Sequence, residues 1–218
     1  MSSPITVLKS LVKLMKAHLT TGNVQDARGK RFVAVIDCIL NQNARDAGAA
    51  RFPAMNFELL QLCHEQDVGI LQMPCPEIAV LGCKRARPPG QTILAALDTP
   101  TGRQRCAQLA KDVVDRIEAS QAEGYLLMAI LGGNPRSPGC AVHSGDTDLA
   151  IYSGVFMKEL QAELKQRNLS ATFKGIRDHD QALHEQDLAW LHHLLTDTLG
   201  QERAQAEAGR HDRRLTCL

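Results

Sequence analysis

The sequence lacks three features that would place it in common protein classes: a long apolar run, a large net charge and closely paired cysteines. None of its apolar runs approaches the roughly 20 residues of a membrane-spanning helix. Lys9, Lys13 and Lys16 interrupt the apolar residues near the N-terminus, where a secretory signal needs a continuous apolar core. We therefore expect a cytoplasmic protein without a membrane partner.

The formal net charge is +1, because 25 Lys and Arg residues balance 24 Asp and Glu residues. Proteins that bind DNA or long RNA usually present a concentrated basic face to the phosphate backbone. The balance therefore favours a small-molecule substrate and argues against DNA binding. The chain has 218 residues, a length that favours a single domain with extensions.

The chain has seven cysteines, none in the C-x₂-C spacing that is typical of structural zinc sites. In a cytoplasmic protein, cysteine groups indicate metal binding or catalysis more often than disulfides. Cys63 and Cys106 occupy apolar helical positions, so we expect them to be buried core residues. Cys217, near the end of the chain, has no predicted role. Cys83 follows Cys75 closely enough to reach the same site, and whether it is a ligand stays open.

Apolar periodicity predicts an α/β fold, with a mostly parallel central sheet flanked by helices, because helical and strand patterns alternate. The predicted strands are 31–37, 68–73, 124–131 and 171–176, and the predicted helices are 56–67, 101–122, 154–167 and 181–199. The helix over 56–67 should place Phe57, Leu60 and Cys63 inward. We divide the chain into a helical extension over 1–22, one α/β domain over 31–200 and a charged tail over 201–218.

The N-terminal extension is predicted to be an amphipathic helix. Ser3 can cap it, Pro4 suits its first turn, and apolar residues recur at helical spacing as far as Leu19. Such a helix packs on its own domain or on a second subunit, which leaves a homodimer open. A mitochondrial targeting segment is the alternative.

Three cysteines follow three of the predicted strands. Cys38 comes after the first strand, Cys75 lies between two prolines after the second, and Cys140 lies in the loop beyond the third. If the strands are parallel, their carboxyl ends share the sheet edge where open α/β folds build their sites. We therefore expect the three thiols to converge.

Three thiolates would suit zinc or an iron–sulfur cluster, because both prefer soft sulfur ligands. A cluster normally has four cysteine ligands, so three would leave one iron open to a substrate. Glu77, two residues after Cys75, is a candidate general acid or base. From these residues alone, zinc, iron–sulfur chemistry and a purely structural role of the cysteines all stay open.

Three short motifs carry a family resemblance. They are Asp37-Cys38-Ile39-Leu40-Asn41-Gln42-Asn43, then Pro74-Cys75-Pro76-Glu77 followed by Gly82, then Ser137-Pro138-Gly139-Cys140. In this order they resemble the motifs of the thiouracil desulfurase (desulfidase) family, nearest to its uncharacterised branch with Cys-Ile-Leu-Asn-Gln-Asn. The resemblance covers roughly residues 31–177.

The resemblance implies an oxygen-sensitive [4Fe–4S] cluster held by Cys38, Cys75 and Cys140. The fourth iron would be free to bind the sulfur of a thiolated base or nucleoside such as 2-thiouracil. Glu77 and Ser137 would be the catalytic residues of a non-redox desulfuration.

Two positions beside Cys140 depart from the family pattern. Gly139 stands where the family usually has serine, and Ala141 stands where it usually has glycine. Neither change removes a ligand, so they bear on the substrate more than on the cluster.

Polar residues near the motifs are candidate substrate contacts. Asn41 and Asn43 are predicted to read the edge of a pyrimidine-like ring, and Arg87 to bind a phosphate or carboxylate. Similar but weaker candidates are Gln42, Arg85, Arg177, His143 and His179. For the amides and arginines, a role in turns or in a solvated loop is the alternative.

Two further functions stay open beside the desulfurase. One is a carrier that holds a cluster or sulfide on the same three thiolates without turnover. The other is a zinc hydrolase. The sequence does not name the substrate.

Overall fold

A computed structural model describes residues 26–145 and 148–197. The predicted N-terminal helix over 1–22, the tail over 201–218 and Cys217 lie outside these ranges. Four strands form one sheet in the order β2-β1-β3-β4, and every pairing is parallel. The strands are β1 (Arg31–Ile36), β2 (Val68–Met73), β3 (Leu126–Gly132) and β4 (Phe173–Gly175).

Seven helices surround this sheet in the described ranges. They are α1 (Asp37–Leu40), α2 (Phe57–Glu65), α3 (Pro76–Leu81), α4 (Ile93–Leu97), α5 (Pro100–Ala122), α6 (Val155–Gln166) and α7, described over 181–197. A short 3-10 turn covers Gln42–Ala44. Within the described ranges, none of the helices combines the length and apolar character of a membrane span.

Strand β1 is the centre of the sheet, and all six of its residues are buried. It pairs with β2 on one side and with β3 on the other. After β2 the chain crosses over β1 to form β3, so the strand order reverses between β1 and β3. Open α/β sheets bind ligands at the carboxyl ends of the strands beside such a reversal.

Helices cover the sheet on two faces, as right-handed crossovers require. Helices α5 and α6 pack against each other, and the buried residues Val113, Ile117 and Leu160 belong to this layer. Helices α2 and α7 are joined by Asn56 Nδ2 and His184 Nε2, which lie 2.8 Å apart.

The α/β domain with its parallel sheet is therefore confirmed, and the predicted helix and strand positions match within two or three residues. Helices α1, α3 and α4 were not predicted. They have four to six residues each, too short for apolar periodicity to reveal. The prediction for Phe57 was wrong: its side chain is 64% exposed, whereas Leu59 and Cys63 are buried.

Asp187 on α7 links the last helix to β4 and to the segment that follows it. Its carboxylate is fully buried and accepts hydrogen bonds from Arg177 at 2.6 to 3.2 Å. Lys174 Nζ on β4 lies 3.1 Å from the same carboxylate. Burial alone would raise the pKa of Asp187, but the bonds from Arg177 and Lys174 outweigh it and lower the pKa.

Asp187→Asn is expected to lower the free energy of unfolding by roughly 1–3 kcal/mol at pH 7, because it weakens charged hydrogen bonds in a buried place. A carboxyl with a lowered folded-state pKa stabilises the protein above its unfolded value of about 3.9 and loses this effect as the pH falls further. The difference from wild type should therefore shrink below about pH 4. Urea unfolding across this range measures it. The exposed Asp197→Asn is the control, and equal effects of the two variants would contradict the assigned role.

Candidate functional site

Cys38, Cys75 and Cys140 line one cavity at the carboxyl ends of the strands. The cavity has a volume of about 270 Å³, close to the lower end of the range for small-molecule sites. Glu77 and Ser137 line it as well. The predicted convergence of the three thiols is therefore confirmed, and both predicted catalytic side chains stand beside them.

The strand order explains why Cys38 and Cys140 meet. Cys38 lies in α1 directly after β1, and Cys140 lies in the loop after β3, so the two flank the reversal of strand order. Their thiols are neighbours, and each shifts the pKa of the other. Gly133, at the start of this loop, leaves room for the Cys140 thiol, because a Cβ there would lie 2.7 Å from its Sγ.

Cys75 occupies the N-cap position of α3, with Pro76 as the first helical residue. Proline suits this position because its fixed φ favours the first turn and its missing N–H is not needed there. The next residue, Glu77, is 9% exposed and faces the same cavity. The Pro-Cys-Pro-Glu motif therefore fixes a thiol and a carboxylate together at one helix end.

A chain of hydrogen bonds joins the second and third motifs. Ser137 Oγ lies 3.0 Å from Cys140 Sγ and 3.4 Å from Glu77 Oε1. On the other side of the carboxylate, Arg85 Nε donates to Glu77 Oε2 at 3.5 Å. The Ser137 hydroxyl therefore links the Cys140 thiol to the Glu77 carboxylate.

The three thiols differ in acidity. The hydrogen bond from Cys140 lowers the pKa of Cys38, against the effect of burial and with the help of Arg45. The same bond, together with burial, raises the pKa of Cys140 well above its usual range. Burial raises the pKa of Cys75 to about 11. A bound metal would release the protons of these thiols, because it binds the thiolate form.

A buried ion pair supports the side of the cavity near Cys38. Arg45 donates to Asp178 at 2.5 Å, and Asn134 Nδ2 donates to the same carboxylate at 2.8 Å. Asn134 also contacts Nδ1 of His179 at 2.8 Å. Arg45 and Asn134 line the cavity. This network fixes both segments that follow β1 and β3.

No group of three or more His, Cys, Asp or Glu side chains in residues 26–145 and 148–197 is arranged to hold a single metal ion. The three cysteines line one cavity without closing around one point. The described residues therefore do not form a preorganised mononuclear zinc site.

No family model matches the chain, and no solved structure matches it. The chain is similar to an uncharacterised protein of Methanocaldococcus jannaschii, MJ0003. The two are 28% identical over 142 residues, which make up 65% of this chain and 83% of the relative. The name of the relative states no activity, so the desulfurase resemblance stays a prediction.

The predicted substrate contacts Asn41, Asn43 and Arg87 do not line the cavity. All three are exposed. Asn41 caps the short turn by accepting from the backbone N–H of Asn43 at 3.1 Å. Arg87 donates to the backbone of its own loop, at Gln91 and Arg85. The structure gives these residues turn and loop contacts, as the alternative reading allowed.

Two of the weaker candidates are structural links, Gln42 being buried and Arg177 half-buried. Gln42 donates to the backbone oxygen of Cys38 at 2.9 Å and accepts from the N–H of Arg51 at 2.9 Å. Arg177 is held by Asp187. Cys83 is exposed and is absent from the cavity lining, whereas Cys63 and Cys106 are buried as expected.

Four polar cavity residues were not predicted from the sequence: Arg45, Asp46, Asn134 and Arg136. Each lies within eight positions of a motif cysteine, and this proximity was the available signal. Which of the polar residues near a motif line the cavity depends on the path of the loops. Arg136 is exposed and has no hydrogen bond or ion pair with the described residues.

Gly139 is explained by packing, because a Cβ at this position would lie 2.5 Å from Cγ of Pro76. Gly139→Ser is therefore expected to push apart the segments that carry Cys75 and Cys140. Such overpacking costs roughly 1–3 kcal/mol of unfolding free energy, measurable by urea unfolding. Gly69→Ser is the control, because a Cβ there meets its neighbours at 3.5 Å or more. A fully stable Gly139→Ser protein would contradict this packing explanation.

Proposed function

We propose that the protein is an iron–sulfur-dependent desulfurase that replaces the sulfur of a thiolated small molecule by oxygen without net oxidation or reduction. The observation that carries the proposal is the convergence of Cys38, Cys75 and Cys140 from three parallel strands on one cavity. Glu77 and Ser137 line the same cavity, as the resemblance to the thiouracil desulfurases implies.

The donor set fits an iron–sulfur cluster. Three cysteine sulfurs are soft ligands, which such clusters prefer. A cluster is larger than one ion, so its ligands need not surround a single point, in keeping with the arrangement of the three cysteines around a cavity. A cluster bound on three cysteines would leave one iron without a protein ligand. This iron would supply a Lewis acid for the sulfur of a substrate.

In this proposal Glu77 is the general base. Water attacks the carbon of the C=S group, Glu77 takes a proton from that water, and the products are the C=O compound and hydrosulfide. Arg85 donates to one oxygen of the carboxylate, while the other faces Ser137. General acid–base catalysis of this kind typically contributes about 10²–10⁴-fold to the rate.

In this proposal Ser137 orients the substrate. Its hydroxyl is one donor with two acceptor sites and stands between Glu77 and Cys140. A substrate that entered the cavity could replace one of these weak partners. The hydroxyl would then hydrogen-bond a ring nitrogen or oxygen.

The cavity favours a small ring compound. Ala44, Ile93 and Pro138 contribute apolar surface to its lining, and its volume of about 270 Å³, which a cluster would share, argues against a large ligand. These features support a thiolated pyrimidine base or nucleoside as the substrate class.

The proposal is tested by incubating anaerobically purified wild-type protein with 2-thiouracil and with a thiolated pyrimidine nucleoside. Hydrosulfide and the oxo product should appear in equal amounts over many turnovers. A bound cluster without turnover of any thiolated compound would favour the carrier instead. A zinc-loaded protein without iron would favour the hydrolase.

A further inference from the structure

Arg85 is a buried arginine whose contacts are all with the protein. Its side chain is 3% exposed. It donates to the backbone oxygens of Ala44 at 2.5 Å and Cys83 at 2.8 Å. It also reaches Glu77 Oε2 at 3.5 Å and Cys75 Sγ at 4.0 Å. Arg85 also lines the cavity, so these protein contacts come in addition to the substrate-binding role that the sequence suggested.

The backbone of Arg85 has an unusual conformation. Its φ is +45°, in the left-handed region that residues other than glycine rarely adopt. Such a conformation persists where the surrounding structure over-determines it. Here the backbone N–H groups of Arg85 and Ala86 donate to the backbone oxygens of Gly82 and Leu81, each at 3.0 Å. Arg85 is therefore held both at its backbone and at its guanidinium.

We propose that Arg85 is a positioning residue, which supplies the positive charge between the Glu77 carboxylate and the Cys75 thiolate and fixes the two side chains relative to each other. This inference rests on the proposed function, because it concerns Cys75 as a cluster ligand. Two negative groups two residues apart repel each other in a buried place. A fixed cation between them offsets this repulsion.

The contacts require a guanidinium rather than any cation. Arginine has five N–H donors in a rigid plane, so one side chain can serve a carboxylate, two carbonyls and a sulfur at once. Lysine at position 85 would keep the charge at a single point but could not make all of these contacts. Substitution of Arg85 by lysine therefore separates the effect of the positive charge from the effect of the guanidinium geometry.

The test is an anaerobic redox titration with dithionite, which adds an electron to the bound cluster and is followed by electron paramagnetic resonance. Arg85→Met should shift the midpoint potential to a more negative value, because a nearby positive charge favours electron addition. Arg85→Lys should return the potential most of the way to that of wild type. Arg136→Met is the matched control: Arg136 lines the same cavity without a hydrogen bond to a cysteine, so its loss should shift the potential less.

A second measurement, the half-life of the cluster absorbance in a chelator, separates geometry from charge. Both Arg85 variants should lose the cluster several-fold faster than wild type, because neither makes all the contacts. If Arg85→Met does not retain a cluster, Arg85→Lys carries the test alone: a potential close to that of wild type with faster cluster loss supports the proposal.

Several results would overturn the inference alone. They are a wild-type potential and half-life in Arg85→Met, an equal potential shift in Arg136→Met, and a failure of Arg85→Lys to hold the cluster despite its charge. Absence of iron from the wild-type protein would instead overturn the proposed function, and this inference with it.

Discussion

Cys75→Ala is expected to abolish both iron–sulfur binding and desulfurase activity. Cys75 supplies one of three thiolates, and it is the one fixed at the start of α3 beside Glu77. With two cysteines left, a cluster would lack half of the four ligands that usually hold it. Iron and sulfide should fall to background levels, as measured on anaerobically purified protein, and hydrosulfide release should fall with them.

The control for this prediction is Cys83→Ala. Cys83 lies eight residues further along the chain, is exposed and is absent from the cavity lining. This variant should therefore keep wild-type iron and activity, which would also settle whether Cys83 is a ligand. Retention of the full cluster in Cys75→Ala would show that the cavity cysteines have been assigned wrongly.

Glu77→Gln is expected to keep the cluster and lose turnover by roughly 10²–10⁴-fold, the usual contribution of a general base. The amide preserves the size of the side chain but cannot take a proton from water. Its kcat should therefore fall while iron, sulfide and the visible spectrum stay at wild-type values. Steady-state hydrosulfide release, normalised to bound iron, measures the effect.

Glu65→Gln, on the exposed side of α2, is the matched control for the change of a carboxylate to an amide. It should be as active as wild type. A Glu77→Gln enzyme at full rate would remove the role assigned to Glu77. Loss of the cluster in this variant would mean that Glu77 acts on the cluster site rather than on the proton.

The sheet was predictable because its strands are strongly apolar and its longer helices have clear periodicity. Strand β1 is buried along its whole length, which the run Phe32-Val33-Ala34-Val35-Ile36 already indicates. The short helices after β1 and β2 were not predictable, because four to six residues provide less than two turns of periodicity. Their formation depends on the tertiary contacts of the cavity.

The convergence of the cysteines was predictable for a topological reason. Parallel strands bring their carboxyl ends to one edge, so Cys38, Cys75 and Cys140 had to lie on the same side of the sheet. The direction of the polar side chains was not predictable. Gln42 and Arg85 turn inward to backbone carbonyls, whereas Asn41 turns outward, and the short turn at Gln42–Ala44 sets this difference.

The presence of an iron–sulfur cluster is tested by iron, acid-labile sulfide and visible absorption measurements on wild-type protein purified without oxygen. We expect about four irons and four sulfides per chain with a broad brown absorbance. Zinc in place of iron, or no metal under strictly anaerobic conditions, would contradict this expectation. The parallel α/β fold would then stand with a thiol-lined cavity of another function.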